Sequence, residues 1–155
     1  MRTSLFGVAA VLSITAGVAL GALPKPKALA IMHERHEGME TIGKNFKALH
    51  RELDASSPNL GTIRTSARNI QALSAKASHW FQRGTGPELG KTGAKPGIWG
   101  NPQDFVVKMR DFQAQARAFA AASRSNDLEL IRAQSSDLGQ TCKACHDKYR
   151  SDMHH

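Results

Sequence analysis

From Met32 onwards the apolar positions return every three or four residues, the spacing of one face of an α-helix. Met32, Met39, Ile42, Phe46, Leu49 and Leu53 form a first stripe, in which Arg35 is the one charged member. Ser56, Ser57 and Pro58 stop it, because the residue ahead of a proline is held out of the helical region. Leu60, Ile63, Ala67, Ile70, Leu73, Ala77 and Trp80 make a second stripe. Phe105, Met109, Phe112, Ala116 and Phe119 make a third, with Pro102 near its start and Asp104 in its first turn, where the helix dipole favours an acid. A fourth, capped by Asn126 or Asp127, carries Leu128, Ile131, Leu138, Cys142, Cys145 and Tyr149, and Ser135 interrupts it. A small residue there admits a flat group or reflects simple tolerance. Polarity never alternates with period two, so no sheet is predicted. Residues 84–101 separate the second and third stripes. They hold six glycines and two prolines in 18 residues, long for a connection between bundle helices, with Ile98 and Trp99 as the apolar anchors. The pattern predicts an all-α fold, an antiparallel four-helix bundle.

The N-terminus has a different grammar. Met1 and Arg2 give a positive start, residues 5–20 are apolar but for Ser13 and Thr15, and small residues follow. That is the pattern of a secretory signal peptide over residues 1–22, with cleavage after Gly21 or Ala22, or as late as Ala30, where Ala28-Leu29-Ala30 offers a small-x-small site. The apolar run is shorter than the roughly 20 residues of a membrane span. One domain, residues 31–155, remains. The formal charge of +8 falls to about +5 once Arg2, Lys25 and Lys27 are removed with residues 1–30. Those charges are dispersed among acids, which argues against nucleic acid as a partner and suits an acidic protein or an anionic surface.

The chemistry sits near the C-terminus. Cys142-Lys143-Ala144-Cys145-His146 is a C-x-x-C-H string, the attachment pattern of a c-type haem. Two thiols three residues apart lie one turn apart on a helix and can form thioethers with the two vinyl groups of one porphyrin. His146 follows at once and can ligate the iron from the same side. A zinc site would need two more N or S ligands, yet the chain has no other cysteine and its other histidines are scattered. A thioredoxin-like redox pair would need strands around it. One covalently bound haem c, attached through Cys142 and Cys145 and enclosed by the bundle, is the cofactor this string predicts. Haem attachment outside the cytoplasm agrees with the signal, so a periplasmic location is expected.

The position of the string identifies a family. A C-x-x-C-H at the far C-terminus of a four-helix chain resembles cytochrome c′ and its relatives, the class II cytochromes c, over roughly residues 31–150. Asp127-Leu128, Leu138-Gly139 and the run from Cys142 to Arg150 are similar to that family's haem helix. So are the glycine-rich loop leading to Ile98, Trp99 and Phe105, and the pair Arg35 and Met39. The resemblance implies that Arg35 lies near a haem propionate and that Met39 faces the iron opposite His146. Many members carry a non-ligating residue at the latter position and bind NO or CO at a five-coordinate iron. Met39 instead resembles the low-spin branch, in which a thioether completes six-coordination. Homodimers are common in the family.

Each assignment has a plainer counterpart. Met39 is either the sixth ligand or core filling, and His36, one turn earlier, is the rival ligand. Arg35 either pairs with a propionate or lies at a helix edge, although an unpaired charge on an apolar seam is costly. Lys143, Lys148 and Arg150 are either a docking rim for an acidic redox partner or a solvated face that suits the helix C-terminus. The expected function is an exported monohaem electron carrier that catalyses no reaction of its own. The alternative is a gas-binding protein, which requires Met39 to leave the iron.

Overall fold

The computed structural model describes residues 23–151; the signal segment expected at 1–22 lies outside the described residues. Lys25–Asp54 forms α1, starting seven residues ahead of the apolar seam read from Met32. Pro26 sits in its first turn, where a missing N–H costs nothing, and Ala28 and Ile31 continue the buried face back to this start. Leu60–Ala77 forms α2, whose N-cap Asn59 accepts from the Thr62 amide at 3.0 Å. Its end tightens into a 3₁₀ turn, Ser78–Trp80. Gly97–Gly100 is a single helical turn, α3, inside the glycine-rich connection. Pro102–Ala122 is α4 and Leu128–Tyr149 is α5. The cap of α5 is Asp127, whose carboxylate accepts from the Leu130 amide at 3.0 Å. Among the described residues no strand forms; Ala94 and Arg150 make one isolated antiparallel bridge. No described helix is long and apolar enough to cross a membrane.

The four long helices form one bundle in which α1 packs on α2, α2 on α4 and α4 on α5. Leu49, Ile63, Ile70, Phe119, Ile131 and Leu138 are sealed from solvent in its core. Each such side chain contributes about 1.5–3 kcal/mol by burial. Two polar arrangements fix the ends. Arg64 of α2 reaches across to the C-terminus of α4, donating through Nε to the Ser123 carbonyl (3.0 Å) and through Nη2 to the Ser125 carbonyl and Asn126 Oδ1. It satisfies carbonyls that a helix end leaves without partners and places positive charge where the dipole wants it. Asp104, in the first turn of α4, accepts from the Tyr149 hydroxyl and from Lys148 Nζ, tying α4 to the last turn of α5.

Arg64→Met should lower the unfolding free energy by about 1–2 kcal/mol, read from urea denaturation. The Asp104 carboxyl is held below its ordinary value, first by the Tyr149 hydrogen bond and then by Lys148. Its contribution is therefore complete above the usual carboxylate pKa of about 3.9 and is lost as pH falls through the lower folded value. Asp104→Asn should lower Tm by about 3 °C at pH 7, and thermal scans at decreasing pH should show the difference closing in acid.

Candidate functional site

The attachment helix presents two working faces. Arg132, Ser135, Gly139, Cys142 and His146 follow one another at helical spacing and look toward α1. A second stripe, Ile131, Leu138, Cys145 and Tyr149, looks toward α4, where Cys145 lies in the field of Lys108 and Asp104. The exposed side carries Lys143 and Asp147, which pair with each other.

Three pairs fix how α1 lies against α5. Arg132 donates to the Leu53 carbonyl at 3.0 Å, Ser135 Oγ meets His50 Nε2 at 3.3 Å, and Phe46 packs on Gly139 so closely that a Cβ there would stand 3.2 Å from its ring. Each step back along α1 is matched by an equal step forward along α5. The same antiparallel register puts Gly43 level with Cys142, Met39 level with His146 and Arg35 level with Arg150. The change in character between the two halves is sharp: Gly43 has no atom within 4 Å of where a Cβ would stand. Ser135, left open in the sequence between room for a flat group and simple tolerance, is buried and meets His50 from α1.

The glycine-rich connection bridges this end from α1 to α5, and Arg35 is its anchor. The guanidinium is buried, 5% exposed. Nη1 donates to the Trp80 carbonyl (3.1 Å) and Thr85 Oγ1 (3.2 Å), and Nη2 to the Thr85 carbonyl (2.8 Å) and Thr92 Oγ1 (2.9 Å). Phe81 and Trp99 face it with their rings. Gly84, with φ of +82°, makes the turn that a side chain would resist. Further on, the Lys95 amide donates to the Tyr149 carbonyl and the Ser151 amide to the Gly93 carbonyl, each at 2.9 Å. Trp99 Nε1 closes the loop onto Phe81 and Gln82. His36, the rival iron ligand, is exposed beside Glu40.

The family model described as cytochrome c′ matches residues 30–150. The chain belongs to the cytochrome c′ family. It is 38% identical over 114 residues to cytochrome c′ of Rhodospirillum rubrum, covering 74% of this chain and 72% of that one. The structure of cytochrome c′ from Shewanella frigidimarina superposes with a TM-score of 0.75 at 32% identity, covering 81% of this chain and 97% of that one. The nitric oxide complex of a cytochrome c′ mutant from Alcaligenes xylosoxidans superposes with a TM-score of 0.74 at 27% identity, covering 81% and 97%.

This cytochrome c′ therefore carries one haem c, bound covalently through Cys142 and Cys145, and the surrounding residues fit that group. Three features among the described residues show it. A Cβ on Gly43, which the register sets level with Cys142, would stand in open space. Arg35 is buried and hydrogen-bonded only to neutral oxygens, with the Glu88 carboxylate acting on it through space without bonding it. Trp80 Nε1 is buried with no acceptor. The acid–base state of the attachment string agrees. Burial, then the neighbouring Cys145, push the Cys142 thiol up to about 11, and burial raises Cys145 as well. Thiols held protonated are poor zinc ligands and poor redox nucleophiles, whereas a thioether carries no charge to bury. Burial, then Arg150, whose Nη1 is 3.5 Å from Nδ1, lower His146, so its imidazole is neutral at pH 7, the form a metal requires.

Sequence reading placed Trp80 in the second stripe but missed its unpartnered indole N–H and the role of Gly38. A Cβ on Gly38 would stand 2.2–2.8 Å from the six-membered ring of Trp80, so this glycine exists to admit the indole. Glycine within an otherwise helical stripe, one residue before Met39, was the available signal. Gly38→Ala should cost roughly 1–3 kcal/mol by overpacking. Denaturation of the haem-loaded variant checks this, with Gly100→Ala, an exposed position whose Cβ meets no protein atom, as the comparison.

Proposed function

We propose that this cytochrome c′ is an exported, periplasmic single-electron carrier whose iron is ligated by His146 and Met39, with Arg35 beside a haem propionate. The observation that carries the reading is the α1–α5 register, which sets Met39 level with His146 across the face where Cys142 attaches the porphyrin. The haem supplies a one-electron ferric–ferrous couple, and methionine–histidine ligation favours a high potential. The protein's part is to hold both ligands on long helices whose spacing is fixed by the pairs at Leu53, His50 and Phe46. Geometry then changes little when the charge on iron changes. No reaction beyond electron transfer is assigned.

The buried cation at Arg35 gives a propionate a counter-ion in a place where an uncompensated charge is expensive. Cleavage near residue 22 removes only Arg2, so the formal charge of +8 becomes +7, which favours an acidic redox partner. At the haem helix itself Lys143 and Lys148 are each answered by an acid, Asp147 and Asp104. Docking there accordingly relies on the summed field more than on either lysine. Signal cleavage near residue 22 is preferred to cleavage after Ala30, because α1 starts at Lys25 and Ala28 is buried in the bundle.

A second reading has its own support. Met39 is half-buried and packs against the hydrophobic core, as a filler would, and a relative of this fold is known as its nitric oxide complex. A five-coordinate, gas-binding cytochrome c′ would follow. The absorption spectrum of the reduced protein, before and after CO, separates the two. A sharp low-spin α-band that CO leaves unchanged is expected, and Met39→Leu should abolish it and give immediate CO binding. A broad high-spin spectrum in the parent that shifts with CO would sink the electron-carrier reading.

A further inference from the structure

Trp80 keeps a hydrogen-bonding group that the bundle does not use. Its indole is 2% exposed, and Nε1 is buried without an acceptor among the described residues. The chain's other tryptophan is treated differently: Trp99 Nε1 donates to the carbonyls of Phe81 and Gln82 at 3.1 and 2.9 Å. An unpaired buried N–H is destabilising, and a phenylalanine would fill much of the same core without that cost. An indole retained under these conditions calls for an acceptor that the folded chain does not itself supply.

The surroundings say which acceptor. The ring of Trp80 lies on Gly38, the neighbour of Met39 on α1. The main-chain carbonyl of Trp80 takes Nη1 of Arg35 at 3.1 Å. Indole and guanidinium thus occupy one corner of the bundle, beside the α1 stripe that faces Cys142 and His146. The rim of a haem c is otherwise methyl groups and thioethers, and its strong hydrogen-bond acceptors are its carboxylates. Arg35 is already spent as a donor at both Nη atoms, which serve Trp80, Thr85 and Thr92. It can offer a carboxylate charge, but only Nε remains for a hydrogen bond.

We propose that Trp80 is a further haem-binding residue whose Nε1–H donates to a haem carboxylate, with Arg35 supplying the countercharge and the loop anchor. The proposal rests on haem attachment at Cys142 and Cys145 and is independent of what fills the sixth position.

The test uses the haem-loaded protein in its diamagnetic ferrous form, as the CO adduct if the iron proves five-coordinate. Proton NMR should show a through-space contact between the Trp80 Nε1 proton and the methylene protons of one haem carboxylate arm. That signal should vanish in Trp80→Phe while the Trp99 signal stays. Resonance Raman spectra of Trp80→Phe should show the carboxylate-arm bending band shifted. Absence of the NMR contact, or an unmoved bending band, overturns the proposal. So does a shift confined to the iron–CO vibrations, which would place the N–H at the sixth position. If Trp80→Phe does not fold, Trp99→Phe assigns the remaining indole signal and the contact in that protein decides.

Discussion

The register between α1 and α5 is the constraint on which the site depends. It is set where there is no cofactor chemistry at all, by Leu53 with Arg132, His50 with Ser135 and Phe46 with Gly139. Small residues on α5 at two of these levels admit the side chains that reach across from α1. A slip of one residue would rotate each partner by about 100° and destroy the match. With the register held, Gly43, Met39 and Arg35 reach the levels of Cys142, His146 and Arg150 with no further adjustment. The working half of the seam is a continuation of the structural half.

A second consequence of this layout is electrostatic. The end of the bundle that carries the attachment string collects groups that apolar interiors tolerate badly: a guanidinium and an indole N–H where α1 meets the 3₁₀ turn, and an imidazole and two thiols on α5. Each is kept in the state that suits a bound porphyrin, whether neutral as in His146 or protonated as in Cys142, and Arg35 is compensated in part by four neutral oxygens and the nearby Glu88 carboxylate. Buried polar groups of this kind favour one arrangement over its competitors more than they add stability.

Much of this was legible in the sequence, and the division follows the range of the interactions. The four stripes, the glycine-rich break and the C-x-x-C-H string are local patterns, and they yielded the bundle and the attachment site. Local signals also placed the α5 cap within one residue, with Asp127 taking the role left open between it and Asn126. What escaped was long-range. Arg35 bonds to residues 45 to 57 positions away, so periodicity could mark it as unusual but not as the anchor of the loop. The turn at Gly97–Gly100 and the bridge from Ala94 to Arg150 exist because the loop is held at both ends, which no propensity encodes. The start of α1 at Lys25 was hidden because two lysines and two prolines precede the first strong apolar residue. The alternatives left open at Ser135, and the open space at Gly43, were undecided for a similar reason, since only the partner helix decides which small residue meets a side chain.

The strap formed by residues 82–96 has a mechanical consequence. It hangs from Arg35 on α1 and joins α5 through Lys95 with Tyr149 and Ser151 with Gly93, so helix, loop and helix form a closed ring around one end of the bundle. Spreading α1 from α5 at that end cannot proceed by gradual stretching, because hydrogen bonds lose their strength over a few tenths of an ångström. Either the ring holds or one of its links breaks. Any molecule that needs the two helices farther apart therefore meets a latch rather than a spring.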